Sequence, residues 1–285
     1  MAKILAVVPR LLAGAAVAVW LGAAAPESHA QPAALDQEIL ALNPEEREEL
    51  FVFVAGNALF TLYHEAGHML VSELGLPVLA QEEDAVDNLA TVSMLAADND
   101  DMDLFLTQAM IGWFLIAEED YDDLIFYGEH DLDQQRGYTI LCLMVGADED
   151  AFLELAGELG LPEERIETCG FDYEQAAASW EAVTDSFLRD GDAPGGKISV
   201  VHDPAPDELA ALALFLKESE LMELVAEEFD TLYDLPENVT FRAAECGIEN
   251  AFWDPDRREV VLCHELLGGF ADIYLGLLLE DAPDE

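Results

Sequence analysis

The chain has 285 residues, 11 Lys and Arg against 61 Asp and Glu, a formal net charge of −50 and 52% hydrophobic residues. That apolar content is ample for a packed core and excludes a disordered acidic tail, while the charge argues against nucleic acid as a partner, because phosphate binding needs basic patches. So large an excess of one sign repels itself unless screened, which points to a salty or cation-rich setting and, in the simplest reading, to a solvated acidic surface.

Lys3 and Arg10 precede the apolar run LLAGAAVAVWLGAAA, and SHA, ending at Ala30, offers small residues where a signal peptidase cuts. Residues 1–30 thus read as a secretory leader cleaved near Ala30, and the mature chain is expected to be secreted or periplasmic. No later stretch reaches the roughly 18 charge-free apolar residues of a span, so no membrane contact is expected beyond the leader.

Residues 31–43 read as a linker. A helix then starts with Asn43 as its cap, Pro44 at the first helical position and Glu45 and Glu46 in the first turn. Its apolar spacing runs to Leu74, with a break near Gly56 and Asn57, and Gly75 and Pro77 stop it. A second helix begins near Gln81 and carries EEDAVDNLATVSMLA. The acidic run DNDDMD at 98–103 lacks the central Gly and terminal Glu of a calcium loop and reads as surface. Further helices are expected at 103–117, 134–145, 149–159 and 172–188, followed by a Gly-rich linker, DGDAPGGK, at 190–197.

Beyond the linker, KISVVHD and VTFRAAECG read as strands on either side of one or two helices at 206–231, and NAFWDPDRREVVLCHE as a hairpin turning at Asp254-Pro255-Asp256. A last helix covers 264–280. The expected fold class is α+β, predominantly helical, with a small antiparallel sheet from the C-terminal part. A helical region at 31–189 and an α/β region at 198–285 are expected to pack as one domain.

Cys142, Cys169, Cys246 and Cys263 are an even number of cysteines in an exported chain, which reads as two disulfides with three possible connectivities. Pairing of sequence neighbours, Cys142 with Cys169 and Cys246 with Cys263, is preferred because the second pair flanks the hairpin. Zinc ligation by these cysteines is the weaker reading, since no C-x-x-C occurs.

The chemistry concentrates in HEAGH, residues 64–68, and EEDAVD, residues 82–87. Residues four apart on a helix share a face, so His64 and His68 can reach one zinc ion, and Glu65 beside them is the natural general base for a metal-activated water. A catalytic zinc wants three protein ligands and an open position. Glu83 is the preferred third ligand, with Glu82 and Asp84 as rivals, and Asp87 one turn on suits the partner that fixes a histidine ring. In GEHDLDQQRGY, His130 and Tyr138 are residue types that polarise a scissile carbonyl, and Arg136 suits a carboxylate. The plainer reading of that stretch is a helix start in which Arg136 pairs with an acidic neighbour and Tyr138 packs. His202 and His264 read as structural.

HEAGH followed by Glu83-x-x-x-Asp87 resembles the zincin metallopeptidases with glutamate as third ligand, the gluzincins. YHEAGHML, LPVLAQEEDAVDNLA, GEHDLDQQRGYTILCLMVGAD, ASW and NAFWDPDRREVVLCHEL together are similar to a bacterial family described as "putative metallopeptidase", a domain of unknown function. The resemblance implies a zinc-dependent peptidase acting on a peptide or protein substrate. Two features depart from other zincins: only 14 residues separate His68 from Glu83, and the strands follow the HExxH helix instead of preceding it. The C-terminal segment is expected to fold back and supply the edge strand. The rival function is a non-catalytic zinc-binding protein, structural or an acidic interaction module.

Overall fold

The computed structural model describes residues 34–79, 81–119, 126–191 and 193–280. The expected leader, its cleavage point and the first residues of the expected linker lie outside them. The described chain opens with α1 (Ala34–Ala41), a helix where a linker was expected. Ile39, 2% exposed, anchors it to the core.

The longest element, α2 (Pro44–Leu74), begins as its sequence dictates. The Asn43 side chain accepts from the Glu45 and Glu46 amides at 2.9 and 3.0 Å, and Glu46 reaches back to the Asn43 amide at 2.9 Å, a reciprocal cap. Gly75, at φ 62°, closes it in the left-handed conformation that glycine adopts without strain. The expected break at Gly56 and Asn57 does not occur. Asn57 donates to the Phe53 and Gln108 carbonyls at 2.9 and 3.3 Å, and a Cβ on Gly56 would stand 2.4 Å from the Phe105 carbonyl oxygen. The pair marks the crossing with the helix that contains Phe105 and Gln108, where a small residue lets two backbones meet.

α2 is buried on nearly every side, from Leu50 and Phe53 through Phe60, Leu62 and Tyr63 to Leu70, as a central helix must be. Around it pack α3 (Glu82–Ala96) and α4 (Asp100–Glu119), and beyond them α5 (Asp133–Ala147), α6 (Glu149–Glu158) and α7 (Glu163–Thr184). α7 starts earlier than the expected 172: Pro162 and the acidic pair Glu163 and Glu164 form the helix start. At the end of the expected linker, the Gly195, Gly196 and Lys197 amides are held by Asp230 at 2.7–2.8 Å.

Strand β1 (Ile198–His202) leads through α8 (Ala210–Glu218) and α9 (Leu221–Leu232) to β2 (Val239–Ala244), β3 (Ala251–Asp254), β4 (Glu259–Cys263) and α10 (His264–Glu280). The sheet order is β1-β2-β4-β3. It is mixed, where an antiparallel sheet was expected: β1–β2 and β2–β4 are parallel, and only the β3–β4 hairpin is antiparallel. The physical reason is the connection, since a strand that returns through helices arrives parallel to its predecessor. The hairpin turns at Asp254, whose side chain accepts from the Asp256 and Arg257 amides at 3.0 and 3.1 Å. β3 is an edge strand and lies against α2.

Both disulfides join sequence neighbours, Cys142 to Cys169 and Cys246 to Cys263. Among the described residues no helix is long and apolar enough to cross a membrane. Both observations are consistent with secretion.

Candidate metal centre

The turn after Gly75 sends α3 back along α2, so positions pair in reverse order: His68 meets Glu82 and Glu83, Gly67 meets Val86, and His64 meets Asp87. Gly67 sets the approach. A Cβ there would lie 2.8 Å from both Cβ and Cγ1 of Val86, which is fully buried. Gly67→Ala is therefore expected to destabilise the fold by about 1–3 kcal/mol, the usual cost of overpacking. It should also weaken metal binding, because it pushes Glu83 away from the histidines. Thermal melts and zinc titration of the variant check both, and an unchanged variant would show that the helices do not depend on this contact.

Nε2 of His64 and Nε2 of His68 are 3.2 Å apart, and Glu83 Oε2 stands 3.1 Å from the first and 3.3 Å from the second. The far side of each ring meets a carboxylate: His64 Nδ1 is 2.7 Å from Asp87 Oδ1, and His68 Nδ1 is 2.8 Å from Glu82 Oε1. An ionised carboxylate only accepts, so each ring donates from Nδ1 and turns Nε2 inward, where it offers a lone pair once its own proton has left. Three potential ligand atoms thus converge, a grouping that a proton or a cation between them would stabilise. Two ligands 2.0–2.1 Å from a tetrahedral ion are roughly 3.3 Å apart, so the spacing fits a metal of zinc's size. His64, His68 and Glu83 form a group whose ligand atoms all lie within 4.8 Å of one another. Cys246, Cys263 and Glu265 form another, but its sulfurs are joined to each other and Glu265 accepts from the Cys246 and Gly247 amides.

Electrostatics follow the same geometry. Burial opposes charge on His64, yet the hydrogen bonds to Asp87 and Glu83 prevail and push its pKa up to about 9. Burial works against ionised Glu83 too, but His130, His64 and His68 hold it far below the usual carboxylate range. Glu65 is different. It is 8% exposed, and burial raises its pKa, with His64, His68 and the Trp253 backbone amide of β3 only partly offsetting that. A buried carboxylate with an elevated proton affinity, one residue from the ligand helix face, is equipped to take up and release a proton.

The remaining candidates separate. His130, half-exposed, places Nε2 2.9 Å from Glu83 Oε2 but does not belong to the mutually close ligand group. Arg136 is buried against Asp87 and is not offered to a substrate carboxylate. Tyr138, two residues on and so on another face of α5, donates its hydroxyl to the Leu159 carbonyl at 3.0 Å and stands edge-on to Phe114; the structure does not bring it to the ligand group. Burial raises the pKa of Asp84, and the charges of Asp131, Asp87 and Glu83 raise it further. His202 pairs with Glu223 at 2.9 Å, and His264 donates to the Asp203 carbonyl at 3.2 Å. Two contributors went unread in the sequence: Glu82 as the partner of His68, and the Trp253 amide at Glu65.

Fold and site define a predominantly helical α+β protein with a two-histidine, one-carboxylate group able to hold a metal ion. A family model described as "Putative metallopeptidase" matches residues 33–183 and 201–279, most of the chain, and the chain belongs to that family. Membership supports a peptidase that uses a metal and acts on a peptide or protein. No curated protein and no solved structure matches the chain.

Proposed function

We propose that this protein is an exported zinc-dependent peptidase in which His64, His68 and Glu83 hold the metal and Glu65 is the general base. The observation that carries the reading is the convergence of two inward histidine nitrogens and one carboxylate oxygen at 3.1–3.3 Å, with a buried carboxylate beside them that is outside that group. Zinc in such a site supplies a Lewis acid for the scissile carbonyl and brings the pKa of its water towards neutrality. Asp87 and Glu82 keep both rings presenting Nε2. Glu65 accepts the proton of the attacking water and delivers it to the leaving amine, ending the cycle as it began. His130, whose Nε2 stands 2.9 Å from Glu83 Oε2, is assigned the role of donor to the carbonyl oxygen as charge builds there. β3, an edge strand beside Glu65, offers the kind of backbone that takes up an extended peptide. Export rests on the leader pattern of residues 1–30 together with the two disulfides.

The test is metal analysis of the purified mature chain, followed by digestion of a broad peptide library with and without a chelator. One zinc per chain and chelator-sensitive cleavage are expected. A folded chain that takes up no metal at micromolar zinc would sink the metal site, and a zinc-loaded chain that cuts nothing would leave a binding protein.

Binding should also depend on pH in a defined direction. The proton that His64 keeps up to about pH 9 in the metal-free chain must leave when zinc arrives. Apparent zinc affinity is therefore expected to rise from pH 6 towards 9, with proton release visible as buffer-dependent heat in calorimetry; a flat profile would contradict this ligand.

A further inference from the structure

Arg136 is one of only 11 basic residues in the chain, yet it is 8% exposed and faces inward. Its Nε donates to Asp87 Oδ2 at 2.7 Å and its terminal nitrogen to Asp87 Oδ1 at 2.8 Å, a two-pronged pairing. Its Cζ lies 3.5 Å over the Trp113 ring, so the plane of the guanidinium is fixed by α4 while its donors are aimed at α3. Asp87, itself 7% exposed, uses Oδ1 a second time to accept from His64 Nδ1 at 2.7 Å. A contiguous relay thus runs from Trp113 on α4 through Arg136 on α5 and Asp87 on α3 to a histidine on α2.

We infer that Arg136 is a positioning residue of the metal centre, a buried guanidinium that locks the Asp87 carboxylate in the plane where it holds the His64 ring with Nε2 towards the ion. The inference rests on the metal site proposed above. A buried carboxylate without a partner is costly, and a lone one can rotate or draw in water. The fork removes that freedom: with both oxygens engaged by Arg136, the carboxylate plane is fixed and the remaining lone pair of Oδ1 is held towards the imidazole. Lysine at 136 would keep the charge and lose the fork.

The test is a double-mutant cycle in the full mature chain, read as zinc affinity against a chromophoric chelator and as the visible spectrum of the cobalt-loaded protein. Arg136→Gln and Asp87→Asn are each expected to weaken zinc binding by about 10–100-fold, the effect of losing an outer partner of a ligand. In the Asp87→Asn background Arg136→Gln should cost less than about two-fold more, because the route to His64 is already cut. Arg136→Lys should lose most of the affinity and shift the cobalt bands. Losses that multiply in the double variant would mean a merely structural role and overturn the inference, as would Arg136 variants that bind zinc like the parent. If Arg136→Gln does not fold, the cycle runs with Arg136→Lys and the same criteria apply. A parent chain that binds no zinc removes the metal site itself, a result distinct from a zinc-binding parent whose Arg136 variants are unaffected.

Discussion

Glu65→Gln is expected to lower peptide hydrolysis by at least 10²–10⁴-fold, the usual loss with a general base, while zinc content and melting temperature hardly change. Gln keeps the size and packing of a side chain that is almost fully buried and can still accept from the Trp253 amide through its carbonyl oxygen. It cannot take up a proton. If Glu65 were only a buried acid near the metal, the same change would leave hydrolysis within a few-fold of the parent. A Glu65→Gln chain that binds zinc normally and cleaves at the parental rate would refute the mechanism.

The second large effect separates ligation from simple negative charge. His64→Ala, His68→Ala and Glu83→Ala are each expected to abolish stoichiometric zinc at micromolar metal, since each removes one of three converging donors. Glu82→Ala should cost less, about 10–100-fold, because Glu82 meets His68 on the ring's far side at 2.8 Å. Asp84→Ala should leave affinity near the parental value. Equal losses at 82, 83 and 84 would mean that the acidic cluster binds by diffuse attraction, and chelator competition across the series distinguishes the cases.

The local features of this protein could be read from its sequence, and the long-range ones could not. The start and end of α2 are written in Asn43-Pro44-Glu45-Glu46 and Gly75, because capping chemistry acts within a few residues. The pairing of the HExxH helix with Glu83 and Asp87 was also accessible, since a short turn leaves a following helix little choice but to come back. Glu82 was harder: it and Glu83 are neighbours of one type, and which of them faces an Nε2 depends on how α3 is turned against α2, which no local pattern fixes. Arg136 and Trp253 reach the site from distant elements, and no periodicity announces such docking. Helical phase alone, however, would have warned that Arg136 and Tyr138 cannot face the same way. The parallel pairing was missed because the β3–β4 hairpin pattern suggested an antiparallel sheet throughout, whereas the helices read between β1 and β2 form a crossover that brings those strands in parallel.

The placement of Trp253 bears on how this chain comes together. The three potential donors sit between positions 64 and 83 on consecutive helices, whereas the Trp253 backbone amide that lowers the pKa of Glu65 comes from β3, near the far end of the polypeptide. Closing a short loop costs little entropy and closing a long one costs more, so the ion's cradle is the cheaper assembly to complete. The order this favours is the α2–α3 pairing first and the β3 contact last. On the mechanism proposed above, metal uptake is expected to precede docking of the C-terminal hairpin, and peptide cleavage is expected only after it.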